Sequence, residues 1–497
     1  MNNGKICISV CAKTIAEVRE QITRAEPFAD VIELRFDCLN ADQLRPANLV
    51  FDSTKHLVCT FRPTREGGHT QNDEIDRLEF WKDLASDPRF RNAWFDLESD
   101  VISAVDISSA RKIASFHDFL GVPEHINEIF ESLIKGGDVS KIAVHAADAV
   151  DAMSVWHLLE RGKTVIPIAM GEGGKWTRIL GPAYGAFLTY ASLGTGSETA
   201  PGQISARDML KLYRVNELDK DTLVYGIIGD PVSQSLSPHM HNPAFASRQI
   251  NSVFIPFLIK DLDAFVRRML RPATSEVGFE LGGLSVTMPH KQAIMKYLDE
   301  MDETALSIGA VNTIKVEDGK LIGYNTDALG FITPLKKAYG DLKGARVSIF
   351  GSGGAARACI YSLKNEGAAV TLFARDADKA RSLANDFGIG LEQISDAKNQ
   401  NPKTSLSNFD ILVDATPYGM GDLANQTLFT AEELTGLKFV YDLVTKPFDT
   451  PIIREAKLAG IPTIGGLEML IAQGVEQFRI WTGHDVSTDE MKGHIMS

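Results

Sequence analysis

The feature that most constrains the fold is a short apolar stretch that recurs eight times before residue 191. Strands that alternate with helices form a parallel sheet, and eight such units close into a (β/α)8 barrel. The sequence therefore predicts an α/β chain with a TIM barrel at residues 1–213, which ends with an amphipathic helix at 206–212. The eight predicted strands lie at 5–10, 31–36, 57–61, 93–97, 111–116, 141–145, 164–169 and 185–190.

A second α/β domain is predicted after the barrel. The polar segment 214–222 is interpreted as a linker, because it separates two patterned regions. A strand at 223–228 then opens a domain of βα units that extends to about residue 330. Helices at 467–497 are expected to complete this domain.

A dinucleotide-binding pattern defines a third domain, predicted at 331–466. The apolar residues 346–350 run directly into the glycine-rich sequence Gly351-Ser-Gly-Gly-Ala-Ala356. A strand, a glycine-rich turn and a helix in this order are typical of a Rossmann domain. The stretch 390–407 is rich in Ser, Asn and Gln and is predicted to be a surface connection.

Composition excludes two classes of partner. The formal net charge is −14 and no stripe of Lys and Arg stands out, which argues against nucleic acid. No apolar run reaches about 18 residues, the length needed to span a membrane. Residues 5–10 already look like a strand, with no signal or transit segment before them. A cytoplasmic protein with small-molecule substrates is expected, and the sequence sets no oligomeric state.

The cysteines favour a reducing compartment. They form no Cys-x-x-Cys pair, and most lie in apolar, strand-like stretches. Reduced thiols in the core are the usual explanation of that pattern. Neither a disulfide framework nor a metal site is predicted. The cysteines are Cys7, Cys11, Cys38, Cys59 and Cys359.

Polar side chains recur at every second residue on three predicted barrel strands. Residues two apart on a strand project to the same face, so each pair is aimed the same way. For one pair alone, a buried ion-pair layer that fills the barrel explains the pattern equally well. Three coincident pairs favour a catalytic site. The pairs are Glu33 with Arg35, Thr60 with Arg62, and Ser115 with His117.

Lys141 precedes Ile-Ala-Val in the sixth predicted strand. An unpaired ammonium buried there would lose its proton readily, and a neutral lysine is a nucleophile for carbonyl groups. A solvated lysine at the start of a strand is the alternative. His117 on the neighbouring strand favours the nucleophile, because imine chemistry needs an imidazole to move protons.

Four motifs resemble those of type I 3-dehydroquinate dehydratase over about residues 5–212. The resemblance implies that Lys141 forms an imine with the substrate ketone, and that His117, held by Glu66, is the general base and acid for loss of water. The motifs are Glu-Leu-Arg at 33–35, Thr-Phe-Arg-x-x-x-Glu-Gly-Gly at 60–68, Ser-Phe-His-Asp-Phe at 115–119 and Thr-Ala-Pro-Gly-Gln at 199–203. The implied substrate contacts are Glu33, Arg35, Arg62, Met170, Arg178, Thr199 and Gln203.

A second set of polar residues lies downstream. Alone, each residue is explained as a helix cap or a turn former, and a metal site at His239 and His241 is disfavoured because no third ligand lies nearby. Together they resemble shikimate dehydrogenase over about residues 223–490. The motifs are Ser235-Leu-Ser237, the stretch 285–291 that is predicted to turn a strand into a helix, Ala-Val-Asn312, Tyr-Asn-Thr-Asp327 and the stretch 465–473.

This second resemblance implies that Lys291 and Asp327 are the catalytic pair, with Lys291 passing a proton to the substrate oxygen. NADP(H) is the predicted cofactor, because Arg375 follows the next strand, where an NAD site would place an acidic residue. The implied substrate contacts are Ser235, Ser237, Thr287, Asn312 and Gln473. The implied cofactor contacts are Gly351, Gly353, Gly354, Ala355, Arg375, Thr416 and Gly465.

Three positions depart from the family pattern. Family members commonly carry Asn in place of Ala374 and Asp414, and Tyr in place of Thr445. A lost amide and an added carboxylate near phosphates are both expected to change cofactor affinity. Tyr441 is a candidate replacement for the missing tyrosine.

The order of the two halves resembles the bifunctional dehydratase–dehydrogenase enzymes of the aromatic pathway, which act on 3-dehydroquinate, 3-dehydroshikimate and shikimate. Two alternatives stay open at this point. One is an imine-forming aldolase fused to a quinate-type dehydrogenase. The other is a chain in which one half binds metabolites without catalysis, although such a half has no need of proton-transfer groups.

Overall fold

The computed structural model describes residues 4–45, 48–69, 76–106, 111–194, 196–393 and 406–496. The chain divides into two compact units, 1–238 with 245–281 and 239–244 with 282–497. This division does not test the domain boundaries predicted at 213, 222, 330 and 466, which remain predictions. No helix among the described residues has both the length and the apolar character needed to cross a membrane.

The first unit contains the predicted barrel. Eight parallel strands follow one another in the order β7-β6-β5-β4-β3-β2-β1-β8, and the Phe187 N–H donates to the Val165 carbonyl across the remaining gap. Side chains of alternate strand residues fill the interior, as in other barrels of this size. The strands are β1 (Ile6–Val10), β2 (Val31–Arg35), β3 (His56–Thr60), β4 (Trp94–Glu98), β5 (Arg111–Asp118), β6 (Val139–His145), β7 (Val165–Met170) and β8 (Thr189–Ala191).

Helices connect these strands. In the first of them, Thr14 and Glu17 form a capping box, and Ile15, Val18 and Ile22 turn one buried face to the sheet. The helices are α1 (Ile15–Ala25), α2 (Arg77–Ser86), α3 (Ile126–Gly136), α4 (Met153–Trp156), α5 (Lys175–Leu180) and α6 (Ala206–Lys211).

The eighth strand was predicted at 185–190. The observed strand begins four residues later, at Thr189, and is three residues long instead of six. A 3-10 helix at Gly181–Tyr184 ends with Gly185 at φ +99°, a left-handed conformation that favours glycine. The Ala186 N–H then donates back to the Gly181 carbonyl, so the chain is still turning at residues 185–186. Only Thr189–Ala191 pairs with β1.

The cysteine prediction was wrong for two of the five residues. Cys11 and Cys38 form a disulfide, with their Cα atoms 5.4 Å apart. They follow the neighbouring parallel strands β1 and β2, so the fold brings together residues that are 27 apart in sequence. Cys7, Cys59 and Cys359 are free and buried, as the sequence predicts.

The segment 214–222, predicted to be a linker, is part of the first unit and packs within it. Val215 and Leu218 are buried, and Arg214, at φ 51°, donates to the Ser252 carbonyl. The first unit continues with β9 (Leu223–Gly229), β10 (Ser252–Leu258) and α8 (Leu262–Phe265), in which β9 and β10 pair in parallel. Helix α7 (Ser237–Ser247) contributes residues to both units.

The region up to residue 330 is not built from βα units throughout. After β11 (Leu281–Val286), β12 (Glu300–Met301) and α9 (Glu303–Ile308), strands β13 (Thr313–Glu317) and β14 (Lys320–Tyr324) form an antiparallel hairpin. Its two turn residues, Asp318 and Gly319, both have positive φ, which suits the twist of paired strands. The predicted helix after residue 291 is a 3-10 helix at Ala293–Tyr297.

The second unit ends with the predicted Rossmann domain. Six parallel strands lie in the order β17-β16-β15-β18-β19-β20, so the strand order reverses between β15 and β18. Ligands bind at the carboxyl ends of strands at such a switch point. The strands are β15 (Arg346–Phe350), β16 (Ala369–Ala374), β17 (Gly390–Gln393), β18 (Ile411–Asp414), β19 (Phe439–Asp442) and β20 (Thr463–Ile464).

The helices of this unit surround the sheet and pack on one another. Gly330 lets α10 approach α15 closely, since a Cβ there would lie 2.7 Å from the Cβ of Gln473. The predicted surface connection at 390–407 falls mostly outside the described residues. The helices are α10 (Asp327–Tyr339), α11 (Gly354–Asn365), α12 (Ala377–Phe387), α13 (Ala431–Leu434), α14 (Pro451–Leu458), α15 (Gly466–Thr482) and α16 (Thr488–Met496).

Candidate active sites

A cavity lies at the carboxyl ends of the barrel strands. Every barrel residue predicted for the site lines it, together with Ser9, Tyr190 and several apolar side chains. The predicted residues are Glu33, Arg35, Arg62, Glu66, His117, Lys141, Met170, Arg178, Thr199 and Gln203. Closure of the barrel, with side chains that alternate along its strands, thus brings Glu33 and Gln203 into one site although they are 170 residues apart in sequence.

Arg62 is the centre of a buried ion-pair layer. Its guanidinium donates to both carboxylate oxygens of Asp96, at 3.1 and 2.8 Å, and to Glu98 and the Ser115 hydroxyl. Burial opposes ionisation of Asp96, but Arg62 and Lys141 outweigh it and hold the pKa of that carboxyl well below its ordinary value. The sequence predicted Arg62 as a substrate contact; its donors already serve carboxylates of the chain.

Lys141 is 3 % exposed and is not the unpaired amine that the sequence argument assumed. Its Nζ lies 2.7 Å from Asp96 Oδ2 and 3.5 Å from Glu33 Oε1. The Tyr190 hydroxyl lies 3.1 Å away, and the ammonium stands 4.3 Å from the centre of the Tyr190 ring. The amine is therefore held in a fixed position within the cavity.

His117 and Glu66 contact each other as predicted. Both the backbone N–H and the Nδ1 of His117 lie near Glu66 Oε2, at 3.2 and 3.3 Å. Burial, with the positive charges of Arg62 and Lys141, lowers the pKa of His117 well below its ordinary value. Burial also raises the pKa of Glu66. The imidazole is neutral at neutral pH and is able to accept a proton.

Two of the predicted arginines differ in what they offer a ligand. Arg35 makes two hydrogen bonds to Asp37 through Nε and Nη2, at 2.8 and 2.7 Å, and this ion pair holds its side chain in the cavity wall. Arg178 is buried, and no described residue accepts a hydrogen bond from its Nε or Nη1. Burial lowers the pKa of Arg178 to about 10, still far above neutrality. A buried guanidinium without an ionic partner is a binding group for an anion.

The remaining predicted residues close the cavity. The Thr199 N–H donates to the side-chain oxygen of Gln203 at 2.8 Å, so the two residues fix the loop after β8 together. Met170, at the end of β7, is buried in the cavity wall. Glu33 accepts from the Ser9 hydroxyl at 2.5 Å and from Thr60 at 2.9 Å.

The sequence reasoning missed Asp96, Glu98 and Tyr190. Asp96 and Glu98 stand two apart on β4, which is the same signal that identified Glu33 and Arg35. The apolar residues of the stretch 93–97 predict a strand, and that prediction alone draws no attention to the carboxylates of Asp96 and Glu98. Tyr190 carries no sequence signal of its own, because an aromatic residue in a strand usually belongs to the core.

The pair predicted to be catalytic in the downstream half, Lys291 and Asp327, lies in the second unit. The Lys291 Nζ donates to Asp327 Oδ2 at 2.5 Å, and the Asn312 amide donates to Asp327 Oδ1 at 2.8 Å. Asp327 begins α10, where the helix dipole favours a negative charge. Asn312 also contacts the side-chain oxygen of Gln473, at 3.4 Å. Four predicted residues are thus brought together.

The other predicted substrate residues of this half are Thr287, Ser235 and Ser237. Thr287 is half-buried in the turn after β11. In the first unit, the Ser235 hydroxyl accepts from the Ser237 N–H at 3.2 Å. His241 is buried between Phe478 and Trp481, and burial lowers its pKa to about 3.

The predicted cofactor loop has the geometry that a dinucleotide requires. Gly351 has φ +107°, and a Cβ there would lie 2.6 Å from the Ala415 carbonyl oxygen. Gly353 is the N-cap residue of α11, and a Cβ added there would meet no atom within 4 Å. A phosphate can therefore approach the N–H groups at the N-terminus of α11, which begins with Gly354 and Ala355. Arg375 is exposed after β16, Thr416 follows β18, and Gly465 precedes α15.

The departures from the family pattern have structural consequences. Asp414 is fully buried, accepts from the N–H and hydroxyl of Thr416, and lies beside Asp442 on the neighbouring strand. Burial and the Asp442 charge raise the pKa of Asp414 to about 8, and burial raises that of Asp442 to about 6. Tyr441 stacks on Phe331 in the core, which does not support a role in place of the tyrosine missing at Thr445.

Among the described residues, one group has the composition of a metal site: Cys11, Cys38 and His69. Its two sulfur atoms are joined to each other in the disulfide. His69 Nε2 lies 3.7 Å from Cys11 Sγ.

Family models match along most of the chain. Residues 6–220 match type I 3-dehydroquinase, and 227–314 match the shikimate dehydrogenase substrate binding domain. Residues 334–437 match shikimate / quinate 5-dehydrogenase, and 466–496 match the shikimate 5'-dehydrogenase C-terminal domain. The order of the matches is that of the two resemblances in the sequence.

Individual relatives agree. The bifunctional 3-dehydroquinate dehydratase/shikimate dehydrogenase of Arabidopsis thaliana, a chloroplastic protein, is 33% identical over 97% of this chain and 82% of its own length. A shikimate dehydrogenase (NADP(+)) of Methanocaldococcus jannaschii is 38% identical over 56% of this chain and 98% of its own. A crystal structure of shikimate dehydrogenase with NADP+ superimposes with a TM-score of 0.51 at 38% identity, covering 56% of this chain and 96% of that one. The chain therefore belongs to the family of bifunctional 3-dehydroquinate dehydratase/shikimate dehydrogenases.

Proposed function

We propose that the two sites catalyse consecutive reactions: the barrel dehydrates 3-dehydroquinate, and the second unit reduces the resulting 3-dehydroshikimate to shikimate with NADPH. The observation that carries the first half is the convergence of Lys141, His117 and Arg178 on one cavity, with Nε and Nη1 of Arg178 lacking a hydrogen-bond partner among the described residues. The family supports the pairing of activities. The aldolase alternative loses its ground, because the barrel matches type I 3-dehydroquinase.

In the barrel, Lys141 Nζ attacks the substrate ketone and forms an imine with loss of water. The Asp96 carboxylate, 2.7 Å from Nζ, holds the amine in place and stabilises the positive charge of the protonated imine once it has formed. The imine withdraws electrons from the adjacent carbon, so the neutral His117 can remove a proton from it and return that proton to the departing hydroxyl. Hydrolysis of the imine frees the product and the lysine.

Arg178 is proposed to bind the substrate carboxylate. Its buried guanidinium offers Nε and Nη1, which no described residue occupies, whereas Arg35 and Arg62 already serve carboxylates of the chain. Glu33 and Gln203 both line the cavity and are proposed to contact hydroxyls of the substrate. Replacing Arg178 by Gln is therefore expected to raise KM for dehydroquinate more than it lowers kcat.

In the second unit, Lys291 is proposed to donate a proton to the carbonyl oxygen as the carbonyl carbon is reduced. Asp327 orients the ammonium, and Asn312 fixes the other oxygen of Asp327. NADPH, bound along the Gly351 loop and the start of α11 with Arg375 on its 2′-phosphate, supplies the hydride. Asn312 and Gln473 offer amide groups to the hydroxyls of the substrate.

One assay tests both halves. Purified protein is mixed with dehydroquinate, and the absorbance of the conjugated enone is followed with and without NADPH. The enone absorbance is expected to rise and stay high without NADPH, and to rise and then fall with it. Borohydride trapping with dehydroquinate, followed by mass spectrometry, is expected to label Lys141. A flat trace, or trapping by sugar phosphates instead, would reject the proposal.

Small-molecule substrates fit the family, and the described residues contain no membrane-spanning helix. The cytoplasmic location inferred from the sequence stays a prediction.

A further inference from the structure

The Cys11–Cys38 disulfide lies directly beside the barrel's substrate-binding layer. Cys11 follows β1, whose Ser9 donates to Glu33 Oε2. Cys38 ends the 3-10 turn that follows β2, the strand that carries Glu33 and Arg35. The disulfide therefore joins the ends of two strands that both contribute to the cavity wall.

Asp37 connects the disulfide to the site. It is the residue before Cys38, it is fully buried, and it holds Arg35 by two hydrogen bonds. Its two oxygens also accept from the backbone N–H groups of Arg62 and His69, both at 3.3 Å. If the disulfide is broken and Cys38 moves, the movement passes through a single peptide bond to Asp37, whose carboxylate positions Arg35.

The two sulfur atoms differ in access. Cys38 is 3 % exposed, whereas Cys11 is partly exposed and has the exposed His69 imidazole 3.7 Å from its sulfur. An external thiolate therefore reaches Cys11 Sγ first, and Cys38 is the leaving sulfur. A nearby imidazole assists such exchange, because it stabilises the thiolate of Cys11 once that thiolate forms.

We propose that Cys11 and Cys38 form a thiol–disulfide exchange site for small dithiols, whose redox state sets how firmly Asp37 holds Arg35 and hence how tightly the barrel binds substrate. One thiolate of the dithiol attacks Cys11 Sγ and releases the Cys38 thiolate, which takes up a proton. The second thiolate of the dithiol then attacks its own mixed disulfide and releases Cys11. The chain gains two electrons and two protons, and the dithiol becomes a cyclic disulfide. A small disulfide such as oxidised glutathione reverses the exchange.

The consequence is confined to one activity. Loosening Asp37 raises KM for dehydroquinate, because Arg35 no longer stands in its preorganised position. The amine of Lys141 and the imidazole of His117 are held by Asp96 and Glu66, so kcat changes less. The dehydrogenase reaction on the same chain serves as an internal control.

The experiment measures dehydratase KM and kcat on the full chain, oxidised or reduced by dithiothreitol, with alkylation and mass spectrometry to count free Cys11 and Cys38. Reduction is expected to raise KM about fivefold or more, a change of about 1 kcal/mol in binding, without altering dehydrogenase rates. C38S and C11S should show the high KM whether or not reductant is added. C359A, which removes a cysteine from the second unit, should respond as the parent does.

A further variant separates positioning from loss of fold. D37N removes the carboxylate that links the disulfide to Arg35, so its KM should be high and equal in the oxidised and reduced states.

The proposal rests on the dehydratase activity, and the two fail differently. Absence of dehydration in both redox states refutes the proposed function. Equal KM before and after verified reduction overturns the switch alone, as does a parallel loss of both activities. Protein isolated with both thiols free and one bound zinc ion would also overturn it, in favour of a metal site.

Discussion

The two proposed catalytic lysines lie in opposite surroundings. The side chain of Lys141, on barrel strand β6, is 4% exposed and lies between Asp96, Glu33 and the Tyr190 ring. Lys291 lies in a turn, its side chain is 17% exposed, and it pairs with Asp327. A nucleophile profits from a dry, fixed position, whereas a proton donor must be recharged from water at every turnover. The difference in burial therefore follows the difference in chemistry.

The largest effect should come from Lys141→Ala, which tests whether the buried lysine is the nucleophile. We expect dehydration to fall by at least about a thousandfold, because Lys141 is the only lysine among the described residues that line the cavity. Reduction of supplied dehydroshikimate should be unchanged. Separate assays of the two activities measure this, and a loss of both would contradict the independence of the sites.

Lys291→Ala tests the less buried of the two lysines. Loss of a general acid is expected to lower the dehydrogenase kcat by roughly a hundredfold or more, while KM for dehydroshikimate changes little. Dehydration, measured on the same preparation, should keep its parent rate. An unchanged kcat would remove Lys291 from the proposed mechanism.

A smaller effect is expected for Arg375→Gln, which probes the rim of the second site. Loss of a charge-assisted contact with the 2′-phosphate should weaken NADPH binding about tenfold and leave NADH almost unaffected. Arg381→Gln is the matched control, because it removes the same charge from an exposed position on α12. Cofactor fluorescence titration without substrate measures both. Equal weakening of NADPH and NADH would rule out the phosphate contact.

The smallest effect concerns Asp414. Its pKa of about 8 lies far above the ordinary value for an aspartate, so between about pH 4 and 8 the folded chain keeps a proton that the unfolded chain has released. Stability should therefore fall as pH rises through this window, by up to about 1 kcal/mol per pH unit. Asp414→Asn has no such proton, so its advantage over the parent should grow from pH 5.5 to pH 8.

Thermal unfolding at the two pH values measures this difference as a shift of a few degrees. Asp422→Asn, at an exposed position, is the control and should follow the parent. A constant gap between Asp414→Asn and the parent at both pH values would show that Asp414 is ionised throughout.

Sequence alone predicted the barrel from its recurring strands and the Rossmann domain from its glycine-rich turn, because both are local signals. Alternation along a strand placed Glu33 and His117 on an inward face, and Lys141 was identified from its position before an apolar stretch beside the strand of His117. It did not find that Lys141 is paired with Asp96, since 45 residues separate them and the partner lay in a stretch classified as apolar. Arg178 could be identified by resemblance, but its lack of a partner is a property of the packed fold.

Two other differences have contrasting causes. The hairpin at Asp318–Gly319 had a usable local signal, because Asp-Gly between apolar stretches favours a tight turn. The Cys11–Cys38 disulfide had none, because pairing depends on two neighbouring strands ending at the same level. The same limit applies to 214–222, whose polar composition suggested a linker although Val215 and Leu218 are buried.

Arg178 has a practical consequence for how the barrel behaves without substrate. Its guanidinium lacks a hydrogen-bond partner at Nε and Nη1 among the described residues, so desolvation of this charge destabilises the empty barrel. Any small anion that fits the cavity relieves that cost. Phosphate, sulfate or acetate in a buffer should therefore raise the melting temperature of the barrel and compete with dehydroquinate, and an apparent affinity is comparable between laboratories only when the buffer anion is the same.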